Sequence, residues 1–266
     1  MTDIYQENIP VRFASVDRSD RLTLAAIFDY FQNAAIDHAE ALGAGRNALK
    51  QTGQAWILSR FSVFAESRPY YDTKILLKSW PRPPEKLFFM RDYQIEAAEN
   101  NNPGKIFVRG RSAWLVIDIN KRRPLRMENI TLNLPVNRDL SALETLPQSL
   151  AACKNITKKS ERTAAYSDID YYGHVNNARY VQWIQDICPQ ESLEKANQIR
   201  FDINYLNETL PGEKAELYSS SVIDTISLNT GGNDYPKNPF EAIAFEGRRA
   251  GQSDQIIFRA ELILGS

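Results

Sequence analysis

The sequence has few of the residues from which metal sites and disulfide frameworks are built. Its 266 residues include two cysteines, Cys153 and Cys188, and two histidines, His38 and His174. Structural zinc sites usually take four cysteine or histidine ligands, and disulfide-dependent secreted folds carry more cysteines for their length. This scarcity argues against a zinc enzyme and against a disulfide-stabilised fold. We therefore expect two reduced thiols, no metal and no other cofactor.

Long apolar runs, phosphate-binding glycine loops and an excess of positive charge are also missing. No stretch approaches the roughly 18 apolar residues of a membrane span, and the amino-terminal segment is polar and interrupted by Pro10. Lysine and arginine number 32 against 33 acidic residues, so no global positive field favours nucleic acid. These observations predict a cytoplasmic protein with no membrane span and no nucleic-acid partner.

The residues that are present suit a globular fold with a long first helix. Apolar side chains make up 43% of the chain and charged ones 24%, and the length suits one large domain or two of about 130 residues. From Leu24 to Gly43, apolar residues recur at three- and four-residue spacing. Thr23 stands where an N-cap is expected, and Gly43 where a helix ends. We predict one amphipathic helix there.

The order of predicted elements occurs twice along the chain. The first helix is followed by predicted strands at Trp56–Ala65, Ile75–Trp80, Leu87–Ala97 and Ile106–Ile119. A shorter helix at Asn177–Cys188 is followed by predicted strands at Ile199–Leu206, Lys214–Val222, Phe240–Phe245 and Gln255–Leu264. The stretch between them loses the strand pattern and contains a charged run, Lys158–Arg162. We predict an amino-terminal half at 1–134, a connecting segment at 135–161 and a carboxy-terminal half at 162–266.

A weak internal similarity supports a duplication. Shifting the sequence by 153 positions lays Asp17 on Asp170, and it lays Arg21 on His174. If the halves are homologous, only the second half therefore kept a histidine at this place. One helix and several antiparallel strands in each half predict an α+β fold, in which each sheet curves around its helix and the two sheets join edge to edge.

The densest polar segment runs from Ser167 to Tyr180, just before the second helix. Gly173 permits a tight turn and Asn176 is a good N-cap, so the N–H groups at the helix start face the loop that carries Asp170 and His174. Such a helix end can polarise a carbonyl oxygen. The spacing alone also fits a structural role, in which Asp170 and Asn176 cap the turn and His174 is an ordinary hydrogen-bonded loop residue.

Several segments together resemble one enzyme family. The main one reads Asp170, Tyr172, His174, Val175, Asn176, Asn177, Tyr180 and Trp183, and further matches are HAEALG at 38–43, WILSRF at 56–61, KSWP at 78–81 and YLNE at 205–208. This pattern resembles the acyl-acyl carrier protein thioesterases over nearly the whole chain. The resemblance implies a tandem (double) hotdog fold and hydrolysis of fatty acyl thioesters in fatty acid biosynthesis. Two departures are Tyr172, where the family has Asn, and Leu206-Asn207, where it has two basic residues.

The resemblance implies catalytic roles for Asp170, His174 and Glu208, with Tyr172 in the place of the missing Asn. A thiol leaves readily, so such an enzyme needs mainly an activated nucleophile and a stabilised oxyanion. Our hypothesis is that Glu208 acts as general base on water, or attacks directly, while His174 and the helix N–H groups hold the carbonyl and Asp170 orients the loop. Without the resemblance, an ordinary end-of-strand carboxylate is the favoured interpretation of Glu208.

Candidate substrate contacts come from both helices. Asn176 and Asn177 stand at the start of the second helix, where the thioester would bind. In the first half, the residues that could line an acyl pocket are Phe28, Phe31, His38 and Trp56. The same four residues also suit an ordinary core, with His38 as a hydrogen-bonded core histidine.

The implied partner is an acidic acyl carrier protein, which calls for a local basic patch. The first candidate patch is Lys121, Arg122 and Arg123, and the others are Lys158-Lys159 and Arg248-Arg249. Hydrolysis of coenzyme A thioesters, a catalytically silent acyl- or carrier-binding protein and a hotdog hydratase are the competing readings. Two fused halves already supply the pairing that single hotdog domains need, so the prediction for assembly is a monomer or a homodimer.

Overall fold

The structure is a computed structural model that describes residues 3–98, 104–221 and 232–266. Within these ranges the chain forms four α-helices and eleven strands. In chain order they are β1 (Tyr5–Pro10), α1 (Leu24–Ala41), α2 (Arg46–Gln51), β2 (Gln54–Ala65), β3 (Lys74–Pro81), β4 (Phe89–Ala97), β5 (Ile106–Asp118), β6 (Arg123–Pro124), β7 (Thr157–Thr163), α3 (Asn177–Ile187), α4 (Gln190–Lys195), β8 (Gln198–Tyr205), β9 (Lys214–Ser221), β10 (Pro239–Arg249) and β11 (Gln252–Gly265).

Helix α1 begins and ends where the sequence predicts. The Thr23 hydroxyl accepts a hydrogen bond from the Ala26 N–H at 3.2 Å, which satisfies one of the free donors of the first turn. Gly43 has a φ of 69°, a left-handed conformation that lets the chain leave the helix at little steric cost. The apolar stripe, including Phe28 and Phe31, is buried. The prediction of this helix is confirmed.

All strands belong to one antiparallel sheet that joins the two halves. The order is β1-β3-β4-β5-β2-β8-β11-β10-β9-β7, and β6 pairs with β5 beside this path. Strands β2 and β8 form the junction, with register from Arg60 opposite Asn204 to Ala65 opposite Ile199. Because β2 belongs to the amino-terminal half and β8 to the carboxy-terminal half, the predicted edge-to-edge joining is confirmed. The fold is an α+β tandem hotdog.

Helices α1 and α3 lie side by side on the sheet and run antiparallel. The Gln185 side chain accepts a hydrogen bond from the Ala25 N–H at 2.6 Å, and Arg179 pairs with Asp29 at 2.9 Å. The carboxyl-terminal half of α1 therefore extends past the amino end of α3. This arrangement brings α2, which follows α1, close to the loop that precedes α3.

The connecting segment lies against the sheet face opposite the helices. Tyr93 packs on Phe31 of α1, so its neighbour Asp92 points the other way. There the buried Asp92 carboxylate accepts two hydrogen bonds from Arg111 and one from the Ala142 N–H at 2.7 Å. These bonds fasten the segment to β4 and β5. The exact limits 1–134, 135–161 and 162–266 stay predictions.

Some elements differ from the sequence-based predictions. The charged run Lys158–Arg162, predicted as part of the connecting segment, lies within strand β7, which pairs with β9 at an end of the sheet. An edge strand with one solvated side carries charged residues instead of a hydrophobic pattern, so its sequence did not indicate a strand. Strand β1 and the short helices α2 and α4 were also not predicted. Val222, the predicted end of β9, lies outside the described residues.

Candidate active site

His174 and Glu208 lie within hydrogen-bonding distance of each other. The His174 Nε2 atom is 3.1 Å from the Glu208 Oε2 atom. A backbone bond between their sequence neighbours fixes this proximity, because the Val175 N–H donates to the Thr209 carbonyl at 2.9 Å. The side chains are 36% and 44% exposed, so a substrate can reach both. The loop before α3 and the end of β8 thus meet at a candidate site.

The turn that carries His174, residues 170–174, is closed by its own hydrogen bonds. The Asp170 N–H donates to the His174 carbonyl at 2.8 Å, and the Gly173 N–H donates to the Asp170 carbonyl at 3.0 Å. Gly173 has a φ of 83°, which favours glycine. The Asp170 carboxylate accepts from the Tyr172 N–H at 2.8 Å, and in the described part of the chain no hydrogen bond joins it to the His174 ring. Asp170 therefore orients the turn through its backbone.

The start of α3 is capped as the sequence predicts. The Asn176 side chain accepts a hydrogen bond from the Ala178 N–H at 2.9 Å, which confirms Asn176 as the N-cap. This bond uses one of the N–H groups that could otherwise face a thioester carbonyl. The Asn177 carbonyl accepts from the Tyr205 hydroxyl at 3.1 Å, which ties the helix start to the end of β8.

Two arginines from opposite halves approach Glu208. The Arg122 guanidinium, in the turn between β5 and β6, is 3.7 Å from the Glu208 carboxylate. Arg249, at the end of β10, donates to the Glu208 backbone carbonyl at 2.9 Å. Members of two of the predicted basic patches therefore lie at the same site. Lys121 pairs with Asp118 at 3.8 Å.

Tyr172 points towards the amino-terminal half. Burial raises the pKa of its hydroxyl, and the nearby Arg46 guanidinium opposes that shift. Its ring packs edge to face on Tyr171, with ring centres 5.7 Å apart.

The residues predicted to line an acyl pocket lie in packed surroundings. Phe28 and Phe31 are buried and contact Phe61 with ring centres 4.7 and 6.0 Å away, respectively. His38 is buried, and its Nδ1 atom is 3.0 Å from Arg91. The indole of Trp56 donates to the Ala44 carbonyl at 2.8 Å. The described contacts do not join these four side chains to His174 or Glu208, and their role in binding a chain stays a prediction.

A cavity of about 120 Å³ lies at the position in the first half that corresponds to the His174 turn. It is lined by Asp17, Arg18, Leu24, Arg68, Gln185, Gln190, Leu193, Glu194 and Ile199. Arg68 pairs with Asp17 at 2.6 Å and donates to the Leu193 carbonyl at 2.9 Å. None of the predicted site residues lines this cavity.

Neither a metal-binding group of side chains nor a membrane-spanning helix is found among the described residues. Across 3–98, 104–221 and 232–266, histidine, cysteine, aspartate and glutamate nowhere form a group of three or more that could hold a metal ion. In the same ranges, the helices are too short or too polar to span a bilayer.

Comparison with known protein families shows which family the chain belongs to. The family description "acyl-ACP thioesterase N-terminal domain" matches residues 2–133, and "acyl-ACP thioesterase C-terminal domain" matches residues 153–244. The chain belongs to the acyl-ACP thioesterase family. The carboxy-terminal match contains both His174 and Glu208, whereas the amino-terminal match contains Arg46 and Arg122.

Individual relatives agree with this family. A palmitoyl-acyl carrier protein thioesterase of Gossypium hirsutum is 24% identical over 77% of this chain and 52% of its own length. An oleoyl-acyl carrier protein thioesterase of Arabidopsis thaliana is 21% identical over 85% of this chain and 64% of its own length. Both names place those proteins in chloroplasts. The chain spans about half the length of the first curated relatives that it matches.

Solved structures share the fold over almost the whole chain. An acyl-ACP thioesterase of Bacteroides thetaiotaomicron superposes with a TM-score of 0.80 at 24% identity, covering 98% of this chain and 97% of that one. A 12:0-ACP thioesterase of Umbellularia californica gives a TM-score of 0.76 at 17% identity, with 98% and 93% covered. Both similarities support the tandem hotdog fold over both halves of the chain.

No pattern in the sequence indicates the contacts that the first half makes to the site. The Arg46 guanidinium stacks on Tyr171, and Arg122 approaches Glu208. Arg46 belongs to α2, a short helix without a distinctive motif. The approach of Arg122 depends on the pairing of β2 with β8, which no local pattern reveals.

Proposed function

We propose that this chain hydrolyses fatty acyl-acyl carrier protein thioesters to free fatty acid and carrier thiol. Membership of the acyl-ACP thioesterase family supports the reaction class. The observation that carries the proposal is the 3.1 Å contact between His174 and Glu208, because it joins a nitrogen donor and a carboxylate at an accessible point. A structural end-of-strand carboxylate is the competing interpretation, and the Glu208→Gln variant decides between the two.

In the proposed reaction, water attacks the thioester carbonyl carbon while the Glu208 carboxylate accepts one water proton. The new C–O bond gives a tetrahedral intermediate, whose oxyanion is stabilised by the His174 N–H and by an N–H group at the start of α3. The intermediate then expels the carrier thiolate as the C–S bond breaks. A thiol with a pKa of about 8.5 is a good leaving group, and it takes up the proton that Glu208 received. Asp170 and Asn176 hold the turn and helix start in place.

The hydrogen bond between His174 and Glu208 must change when the substrate binds. In the free protein the His174 N–H can donate to the Glu208 carboxylate, so that donor must turn towards the substrate carbonyl when the thioester arrives. Glu208 is then left to accept the water proton. We assign the role of the family's Asn to Tyr172 or to a backbone N–H of the turn. The acyl chain is proposed to bind beside Trp56 and the side of α1 that carries Phe28, Phe31 and His38.

Carrier docking is expected at the turn between β5 and β6. Reversing charge in Lys121→Glu/Arg123→Glu removes two cations next to the site but leaves Arg122 in contact with Glu208. We expect kcat/KM on an acyl-acyl carrier protein substrate to fall about tenfold, because charges at an interface rim mainly set the association rate. Activity on a short acyl-N-acetylcysteamine thioester should stay within twofold.

The matched control for this experiment is Lys158→Glu/Lys159→Glu, on the edge strand β7. These residues form the alternative patch, so equal loss in both double variants would show that general charge, and not the β5–β6 turn, attracts the carrier. Equal loss on the small thioester and on the carrier substrate would also contradict docking at Lys121 and Arg123.

Coenzyme A thioesters are the nearest alternative substrates, because the same acyl transfer to water applies to them. Comparing kcat/KM for one acyl chain on acyl carrier protein and on coenzyme A decides between the two. We propose at least about tenfold preference for the carrier protein, since a small ligand cannot use the docking surface.

Cytoplasmic location is also a proposal, supported by the two free thiols of Cys153 and Cys188. The proposed assembly is a monomer or a homodimer.

A further inference from the structure

A residue of the first half contacts the turn that carries His174. The Arg46 guanidinium carbon lies 3.7 Å from the centre of the Tyr171 ring, well within the range of a cation–π contact. Arg46 begins α2 in the amino-terminal half, whereas Tyr171 belongs to the 170–174 turn of the carboxy-terminal half. The contact therefore links the two halves directly at the proposed active site.

Arg46 itself is held by the end of α1. Its backbone N–H donates to the Glu40 carboxylate at 2.9 Å. The preceding residue, Gly45, lies so close to the same carboxylate that an added Cβ would clash with it. The amino end of α2 is thereby packed on α1, and the Arg46 side chain projects from a fixed backbone position.

The contact is relayed towards His174 by a second aromatic ring. Tyr171 packs edge to face on Tyr172, and the Tyr172 N–H is bound by the Asp170 carboxylate. Gly173, which carries no side chain, is then the one residue between Tyr172 and His174. A shift of Tyr171 would thus be transmitted to the imidazole through a short, hydrogen-bonded turn. Tyr171 is itself largely exposed, and the contacts described for its ring are those with Arg46 and Tyr172.

The loop before α1 in the first half makes an equivalent contact to the other half, but this loop has no histidine. The shift of 153 positions that lays Asp17 on Asp170 also lays Arg18 on Tyr171. Arg18 reaches the short helix of the opposite half, α4, where its guanidinium binds Glu194 at 2.5 and 2.9 Å. In both halves, therefore, the loop before the long helix is held by the short helix of the other half. Only one of these two loops carries a histidine.

We propose that Arg46 is a positioning residue for His174, holding the 170–174 turn through the face of Tyr171 so that the imidazole meets Glu208. This proposal rests on the proposed function. Each half then supplies what the other needs: the carboxy-terminal half contributes the reacting groups, and the amino-terminal half fixes their geometry. Small displacements of reacting groups are costly, so the contact bears on turnover more than on substrate affinity.

The activity test replaces each side of the contact. Arg46→Ala should lower kcat about fivefold while KM for the acyl-acyl carrier protein stays within about twofold. Tyr171→Ala should have a similar effect, and the double variant should lose little more, because both changes remove one contact. Tyr171→Phe keeps the aromatic face and should retain most of the activity.

Arg18→Ala is the matched control, because it breaks the corresponding contact between halves away from His174. It should leave kcat within twofold. A kcat for folded Arg46→Ala within twofold of the unmodified protein would overturn the proposal. An equal kcat loss in Arg18→Ala would do so too, since it would show a general effect of loosening the halves.

A second readout does not depend on activity. The chain has two histidines, His38 and His174, so its imidazole NMR spectrum contains two sets of signals, which His174→Ala assigns. Arg46→Ala should move the His174 signals, and Arg18→Ala should leave them in place. Unmoved His174 signals in Arg46→Ala would overturn the positioning role, whether or not the protein hydrolyses thioesters. If the His174 signals move in Arg46→Ala but the unmodified protein releases no thiol, the proposed function is contradicted and the positioning of the turn by Arg46 is not.

Discussion

Glu208→Gln is expected to lower kcat for acyl-acyl carrier protein hydrolysis by at least about 10²-fold. The amide keeps nearly the size of the carboxylate and can still contact His174, but it cannot accept the proton of an attacking water. Because the change acts on the reaction step, KM should move by no more than a few-fold. The expected result is thus a folded protein that binds its substrate and turns it over slowly.

Steady-state thiol release with a saturating acyl-acyl carrier protein measures this effect. Glu216→Gln on strand β9 is a suitable control, because Glu216 is an acidic residue that pairs with Lys158 away from the site. It should leave kcat unchanged. Full turnover by Glu208→Gln would remove Glu208 from the mechanism and would leave the Glu208 carboxylate with a structural role.

His174→Ala is expected to lower kcat by about 10² to 10³-fold, the usual loss when one donor to a developing oxyanion is removed. The substitution removes both the donor proposed for the carbonyl and the partner of the Glu208 carboxylate at 3.1 Å. Adding Glu208→Gln to His174→Ala should therefore cost much less than the product of the two separate losses.

Single-turnover kinetics of the two single variants and the double variant measure this coupling. Circular dichroism checks that α3 still forms, because Asn176 remains as its cap. Strictly multiplicative losses would show that the two groups act independently and would contradict a shared site. A His174→Ala protein that keeps its turnover would favour the alternative in which His174 is an ordinary loop residue.

Local signals in the sequence were sufficient to predict the main helices and the antiparallel strands. Thr23 and Gly43 act on neighbouring backbone groups, so they mark the ends of α1 whatever the rest of the chain does. Strand β7 was missed because its residues are charged and its identity as a strand depends on pairing with β9. Tertiary contacts of this kind leave no periodic signal in the strand itself.

The groups of the carboxy-terminal half could be named from the resemblance, whereas the contacts that the amino-terminal half makes to them could not be expected. His174 and Glu208 were named from a resemblance, but their proximity depends on the backbone bond between Val175 and Thr209. Arg122 was named only as a carrier contact; its approach to Glu208, and the contact of Arg46 with Tyr171, could not be expected because each arginine reaches the site from the other half. A motif names groups that lie close in the chain, whereas these contacts arise only when the two sheets join.

The central claim is that this chain releases a fatty acid from its carrier, and one measurement tests it most directly. Incubating the purified protein with a panel of acyl-acyl carrier proteins, and following carrier thiol and free fatty acid together, should show equal amounts of both products over many turnovers. Acyl chains that bind to the protein but remain attached to the carrier, with no thiol formed for any chain length, would contradict the account and favour a silent acyl-binding protein.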